Sequence, residues 1–519
     1  MGKASRTAGW RRRDLLGAAG LAGTALLPTR AGAVPSTEGA KDGAPSTATY
    51  HFRVGRTELN PDGRQPVRAV TVNGTMPGQE IRVREGELLR VQLENRLDDQ
   101  PTSIHWHGLL LPAAMDGVPD LSMAPLPPQR VFVYEYPLKQ SGTYWYHSHV
   151  GTQEQSGLFG PLVIEPREEP LHYDRDYVVM LSDWLHRDPD AVLAGLRKAP
   201  RTGTGMAGMK MGDSKMAGMG MAGGAMPGMK EPDQGMPKAG MAGQGGSMDM
   251  TAGADLADVA YDAFLLNGRG NQDPWTCVAK AGERVRLRLI NAGSSTFFRV
   301  MVDGHPMTVV HADGSAVRPV EVDNLLLGMG ETYDVLVTLA GSGSFTIRAE
   351  AQDGSGQAIG VLHTTDAEPR ADLSKPKWGA RQLAYRDLAA VRPTTLPDGP
   401  VRSYELALTG DMARYVWSID GQVYPDAEPL TVRPGERVRV ALTNRTGMWH
   451  PMHLHGHFFR LLDTGVEPSL CPLKHTVSLA PKGTARFEFL ADNPGRWFFH
   501  CHNLYHLEAG MAREWIYTT

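Results

Sequence analysis

Cysteine is nearly absent from this chain of 519 residues: only Cys277, Cys471 and Cys501 occur. A disulfide-stapled scaffold or a cysteine-rich metal-binding domain is thereby excluded. Positive charge is not in surplus either, with 53 Lys and Arg against 57 Asp and Glu. Removing residues 1–33 takes away six basic residues and one acidic residue and moves the formal charge from −4 to −9. So acidic a protein has no electrostatic footprint for nucleic acid. Beyond the N-terminus no apolar run is long enough to span a membrane. Helical periodicity is scarce, and Gly and Pro punctuate short runs rich in Val, Leu and Arg, which predicts an all-β protein.

The first 33 residues read as an export signal. Arg11, Arg12 and Arg13 precede an apolar run from Leu15 to Leu27 and an Ala31-Gly32-Ala33 cleavage site. The RRRDLL stretch resembles a twin-arginine signal, which directs folded proteins out of the cytoplasm, so a periplasmic or extracellular location is expected; an ordinary secretory signal is the alternative. In an oxidising compartment Cys277 and Cys471 either pair or stay buried and free, and the sequence leaves both open.

A decapeptide recurs three times: GELLRVQLEN at 86–95, GERVRLRLIN at 282–291 and GERVRVALTN at 435–444. Each follows an Asn-Gly or Asp-Gly turn, at Asn73-Gly74, Asn267-Gly268 and Asp420-Gly421. A glycine turn entering an alternating strand, three times over, predicts three related β domains. We place them at 50–166, 167–370 and 371–519. The first interval between copies is about 43 residues longer than the second, and a Met-rich insertion at 201–254 accounts for it. Residues 206–250 hold 12 of the 24 methionines and no His, Cys or aromatic residue. Such a composition predicts a mobile loop, and its thioethers are soft ligands suited to Cu(I).

Ten of the 18 histidines fall in four clusters, HWHG at 105, HSH at 147, HPMHLH at 450 and HCHNLYH at 500. On a strand, H-x-H sets two imidazoles on one face, about 7 Å apart. The pairs His105/His107, His147/His149, His453/His455 and His500/His502 offer eight nitrogen ligands, too many for one ion, so a cluster of two or three copper or zinc ions is expected. Alternation sends Cys501 to the face opposite His500 and His502. With His450, His506 and a weak axial Met511, it would complete the ligand set of a blue-copper electron-transfer site. A nucleophilic role for Cys501 would leave nine histidines unexplained.

These motifs, with HWHGLLLPAAMDGVP, QSGTYWYHSH, QEQSGLFGPLVIEP and LTGDMARYVWSIDG, resemble the three-domain multicopper oxidases over nearly the whole mature chain, most of all their bacterial copper-resistance branch. The resemblance implies three cupredoxin-like (plastocyanin-like) Greek-key β-barrel domains and four copper ions. Type 1 copper would take His450, Cys501, His506 and Met511, and type 2 copper His105 and His453. One type 3 copper would take His107, His147 and His502, the other His149, His455 and His500. Asp116 matches the family's acidic proton-relay position. A second relay position is Leu507 here, and Glu508, one residue later, is expected to face away from it. His457 and His475 match no ligand position and are read as supporting or surface residues. The implied reaction oxidises a substrate one electron at a time and reduces O2 to water. Cu(I) is the first choice of reductant, with small phenols and, in a different class, copper sequestration without turnover as alternatives. A monomer is expected.

Overall fold

The computed structural model describes residues 45–198 and 257–519. The export signal and the Met-rich stretch read from the sequence lie outside them. Three β-sandwiches follow one another along the chain. In the first, a sheet ordered Val67–Val72, Thr47–Leu59, Leu88–Asn95, Val131–Pro137 faces one ordered Ile81–Arg84, Phe159–Glu165, Gly142–His147, His105–His107. The middle and third sandwiches each pack a six-stranded sheet against a five-stranded one. Strand order does not follow chain order in any of them, as expected of Greek-key connections.

The decapeptides occupy the same place in all three. Leu88–Asn95, Arg284–Asn291 and Arg437–Asn444 each pair in parallel with the opening strand of their sheet and antiparallel with a strand on the other side. Both residues of each preceding turn have positive φ, from 50° to 55° at Asn73, Asn267 and Asp420 and from 71° to 81° at the glycines. That is the type I′ geometry which Asn-Gly and Asp-Gly adopt most easily. The terminal asparagine of each copy is buried and its amide donates to backbone carbonyls: Asn95 to Gln100 and Leu126, Asn291 to Thr296 and Leu327, Asn444 to Met448 and Ala480. Truncating one would strand buried carbonyls at about 1–3 kcal/mol each, which is why the repeat ends on this residue.

One apolar core runs through the first and third sandwiches, around Trp106, Tyr146, Trp417 and Trp497, while the middle sandwich has its own around Phe298, Val309 and Val335. Cys277, on strand Trp275–Ala279, and Cys471, after the short turn Pro468–Leu470, are both buried and free. Cys277 belongs to the middle core and Cys471 to the third sandwich, so the disulfide alternative is not realised. No helix among the described residues is long and apolar enough to cross a membrane.

Candidate metal centres

Two strand pairs carry the histidines. His105–His107 runs antiparallel to Gly142–His147 with His105 opposite His147, and His450–Leu454 runs antiparallel to Arg496–Cys501 with His453 opposite His500. The first pair belongs to the first sandwich, the second to the third, and their edges meet. His105 stacks on His455 and His107 on His453, each with ring centroids 3.8 Å apart. All eight imidazoles of the four H-x-H pairs thus converge on one spot.

The pairs are tighter than strand geometry alone predicts, with ring centroids 4.8–5.8 Å apart. Three of the four straddle a strand end, since the strands stop at His147, Leu454 and Cys501. The second histidine of each is then free to turn toward the first.

Ligand atoms group into His105/His107/His453, His107/His147/His502 and His149/His455/His500, each within 4.8 Å of one another. Ring nitrogens His105 Nε2, His107 Nδ1, His147 Nε2, His149 Nε2 and His453 Nε2 are buried without a hydrogen-bond partner. A buried orphan nitrogen is costly unless a cation takes it. Burial and neighbouring imidazoles hold His107, His147, His149, His453, His455 and His502 well below the ordinary imidazole value, and burial brings His500 down to about 3. These rings are therefore neutral, the form a metal requires.

The opposite ring nitrogens are held in place. Asp116, on the loop after His107, receives His455 Nδ1–H on Oδ2 at 2.8 Å and His105 Nδ1–H on its backbone oxygen at 2.8 Å. His147 Nδ1 lies 2.7 Å from Glu154 Oε2. His453 Nδ1 donates to the His475 carbonyl at 2.8 Å and His500 Nδ1 to the Cys501 carbonyl at 2.9 Å. Such contacts fix both tautomer and ring orientation.

On the far face of strand Arg496–Cys501 lies the second group. Cys501 Sγ is 3.6 Å from both His450 Nδ1 and His506 Nδ1, and those two nitrogens are 3.0 Å apart. Met511 is fully buried beside them, its N–H donating to the His506 carbonyl and its own carbonyl accepting from Cys501 N–H. Burial pushes the Cys501 thiol far up, so a thiolate here requires a cation beside it. Thr446 Oγ1 sits 2.7 Å from His450 Nε2, and Asp258 Oδ2 sits 2.8 Å from His506 Nε2. Trp417 covers both imidazoles.

All twelve candidate ligands thus fall into these two centres, and Asp116 lies at the larger one. Two expectations change. His506, Leu507 and Glu508 belong to the short helix Leu504–Glu508, capped by the Asn503 side chain. Adjacent residues on a helix are about 100° apart rather than opposed. Leu507 and Glu508 therefore both line a narrow cavity with Glu154 and His147, His149, His500 and His502, instead of facing apart. His457 and His475 are buried, not surface residues. The sequence reading missed Glu154, although it sits in the quoted QEQSGLFGP stretch next to HSH. It also missed Asp258, whose contact with His506 spans too much chain for any local signal.

Fold and site together define an all-β, copper-type oxidoreductase with a cysteine-containing centre joined to a histidine-rich one. Multicopper oxidase family models match residues 53–169, 230–367 and 399–519. A copper resistance protein A homolog of Pseudomonas syringae pv. tomato is 35% identical over 95% of this chain and 96% of its own length. Multicopper oxidase MmcO of Mycobacterium tuberculosis is 36% identical over 98% of this chain and 96% of its own. The solved structure of Fet3p, a multicopper oxidase that functions in iron import, superposes with a TM-score of 0.71 at 22% identity, covering 91% of this chain and 90% of that one, which shows the common fold. The chain belongs to the multicopper oxidase family and is an oxidase.

Proposed function

We propose that the protein oxidises Cu(I) with O2, using four copper ions in the arrangement the sequence motifs imply: type 1 at His450, Cys501, His506 and Met511, type 2 at His105 and His453, and the type 3 pair at the remaining six histidines. The observation that carries this reading is the HCH stretch, in which Cys501 faces one centre while His500 and His502 face the other. Copper bound at these positions supplies one-electron transfer at the cysteine end and O2 reduction at the histidine end. The balance is four Cu(I), one O2 and four protons giving four Cu(II) and two waters.

The residues divide the work. Asp258 holds the outward nitrogen of His506 and supplies a carboxylate where a cation would deliver its electron. The Cys501 carbonyl, accepting from His500 Nδ1, ties the cysteine's backbone directly to an imidazole of the other centre. Asp116 fixes His105 and His455 and is the proton-relay residue of this reading. A narrow cavity is lined by His147, His149, His500 and His502, beside Glu154 and Glu508.

Cu(I) is favoured as substrate because the Met-rich stretch 206–250 supplies thioethers and leads in sequence to Asp258. The names of the relatives link them to copper resistance, which agrees. Export of the chain on its N-terminal signal belongs to the same reading. The test is O2 uptake by the copper-loaded protein with Cu(I) and with a phenol, for the full chain and for one lacking 206–250. The deletion is expected to lower Cu(I) oxidation more than phenol oxidation. Equal effects would refute the cuprous role, and no uptake with either reductant would leave sequestration.

A further inference from the structure

The middle sandwich contributes no ligand candidate, yet it reaches the histidine centre at two places. The turn Asp313-Gly314, between strands Met307–Ala312 and Ser315–Val322, is wedged between the other two sandwiches. On one side an added Cβ at Gly314 would lie 2.3 Å from the Tyr144 ring, on the strand that ends in His147. On the other, Asp313 Oδ2 accepts from His475 N–H at 3.1 Å and Thr476 N–H at 3.0 Å, and lies 3.1 Å from Lys474 Nζ. Asp313 Oδ1 accepts from Thr332 N–H.

Lys474, His475 and Thr476 are all fully buried. Lys474 Nζ is also 3.0 Å from Glu331 Oε1, and Glu331 is itself held by Tyr385 Oη–H and Gly328 N–H. One carboxylate thus grips the backbone of 475–476 and a second clamps the preceding lysine. The next link is the His475 carbonyl, which receives His453 Nδ1–H, with Thr476 Oγ1 3.1 Å from the same nitrogen and 3.4 Å from His107 Nε2. The second place is Gly330 (φ 80°), where an added Cβ would lie 2.8 Å from His502 Cδ2 and 2.9 Å from His107 Cε1.

We propose that Asp313 of the middle sandwich, through its grip on the backbone of 475–476, is the positioning residue for His453, and so sets the geometry and occupancy of the type 2 copper position. This rests on the ligand assignment above. A buried charged cluster that merely glued sandwiches together would have no need to end on a ligand's Nδ1. Here its acceptor atoms stand one peptide unit from the carbonyl that orients the ring.

The test compares the copper-loaded full chain with Asp313→Ala, Asp313→Asn and His453→Ala, reading the type 1 blue absorption, the type 2 electron paramagnetic resonance signal and bound copper per chain. Asp313→Ala is expected to keep the blue absorption and weaken copper binding at the type 2 position roughly 10- to 100-fold. Asp313→Asn, which keeps an oxygen for the two N–H groups but loses the charge that faces Lys474 Nζ, is expected to weaken or shift that signal measurably, though less than Asp313→Ala. If Asp313→Ala yields no folded protein, Asp313→Asn decides alone: a weakened or shifted type 2 signal beside a normal blue absorption supports the proposal, and an unchanged one overturns it. Equal loss of both signals in a folded Asp313→Ala chain would show a purely structural role and overturn it too. A type 2 signal that survives His453→Ala would instead refute the ligand assignment itself.

Discussion

The Cys501 centre draws every candidate ligand from the third sandwich, whereas the histidine centre takes four imidazoles from the first sandwich and four from the third. The first is packed like a core, covered by Trp417 and closed by a short capped helix. The second is an interface between two sandwiches, kept in register by groups that cross it, such as Asp116 on His455 and Asp313 on the 475–476 backbone. The first centre gathers its candidate ligands within one sandwich, while the second also needs two sandwiches to dock correctly. The two should therefore fail separately.

The largest effect tests that separation from the cysteine side. Cys501→Ser should abolish the intense blue absorption and bring O2 uptake with every reductant to background; a variant that stays blue would refute the type 1 assignment. His455→Ala should cut O2 uptake as deeply while leaving the blue colour intact, and joint loss of both would show that the centres are not independent. Asp116→Asn is expected to lower O2 uptake roughly 10- to 100-fold at unchanged colour, with the greatest loss where proton supply limits the rate; an unaltered pH profile would remove Asp116 from the relay.

Acidification separates the centres more gently. The histidine centre concentrates imidazoles that burial keeps neutral in the folded chain, His500 down to about 3, but that take a proton near pH 6.5 once unfolded. Folded pKa values below the unfolded ones mean stability present above about pH 6.5 and lost as pH falls beneath it, by up to about 1.4 kcal/mol per pH unit for each such ring. Melting of the copper-free protein should drop steeply between pH 7 and pH 5. A copper-free His453→Ala/His500→Ala double variant should show a shallower drop, and equal slopes would refute this source of acid sensitivity. Smallest of all, Asp258→Asn is expected to slow Cu(I) oxidation by about tenfold at most, with O2 reduction by a phenol less affected, and equal slowing would deny Asp258 a role with the cation.

The cysteine centre was legible in the sequence because its candidate ligands sit within two short stretches, and strand alternation sends Cys501 to the face opposite His500 and His502. The repeated decapeptides likewise located three equivalent strands, since a type I′ turn and a carbonyl-binding asparagine are local devices. Alternation failed past Cys501, where the chain becomes a helix and Glu508 no longer opposes Leu507. It also underestimated how closely the imidazole pairs converge, because three of the four run off the end of a strand. Asp258, Asp313 and Lys474 were illegible because each acts across an interface, on a group from another part of the chain, and no spacing within a motif encodes such a contact.

The wedge at Asp313-Gly314 has a consequence for assembly. The segment whose His475 carbonyl meets His453 is hydrogen-bonded to a turn made earlier in the chain, and that turn packs against the strand leading to His147. On the proposed copper assignment, complete metal loading of the histidine centre would therefore report on the docking of all three sandwiches, and a half-assembled chain would fail it while already able to turn blue.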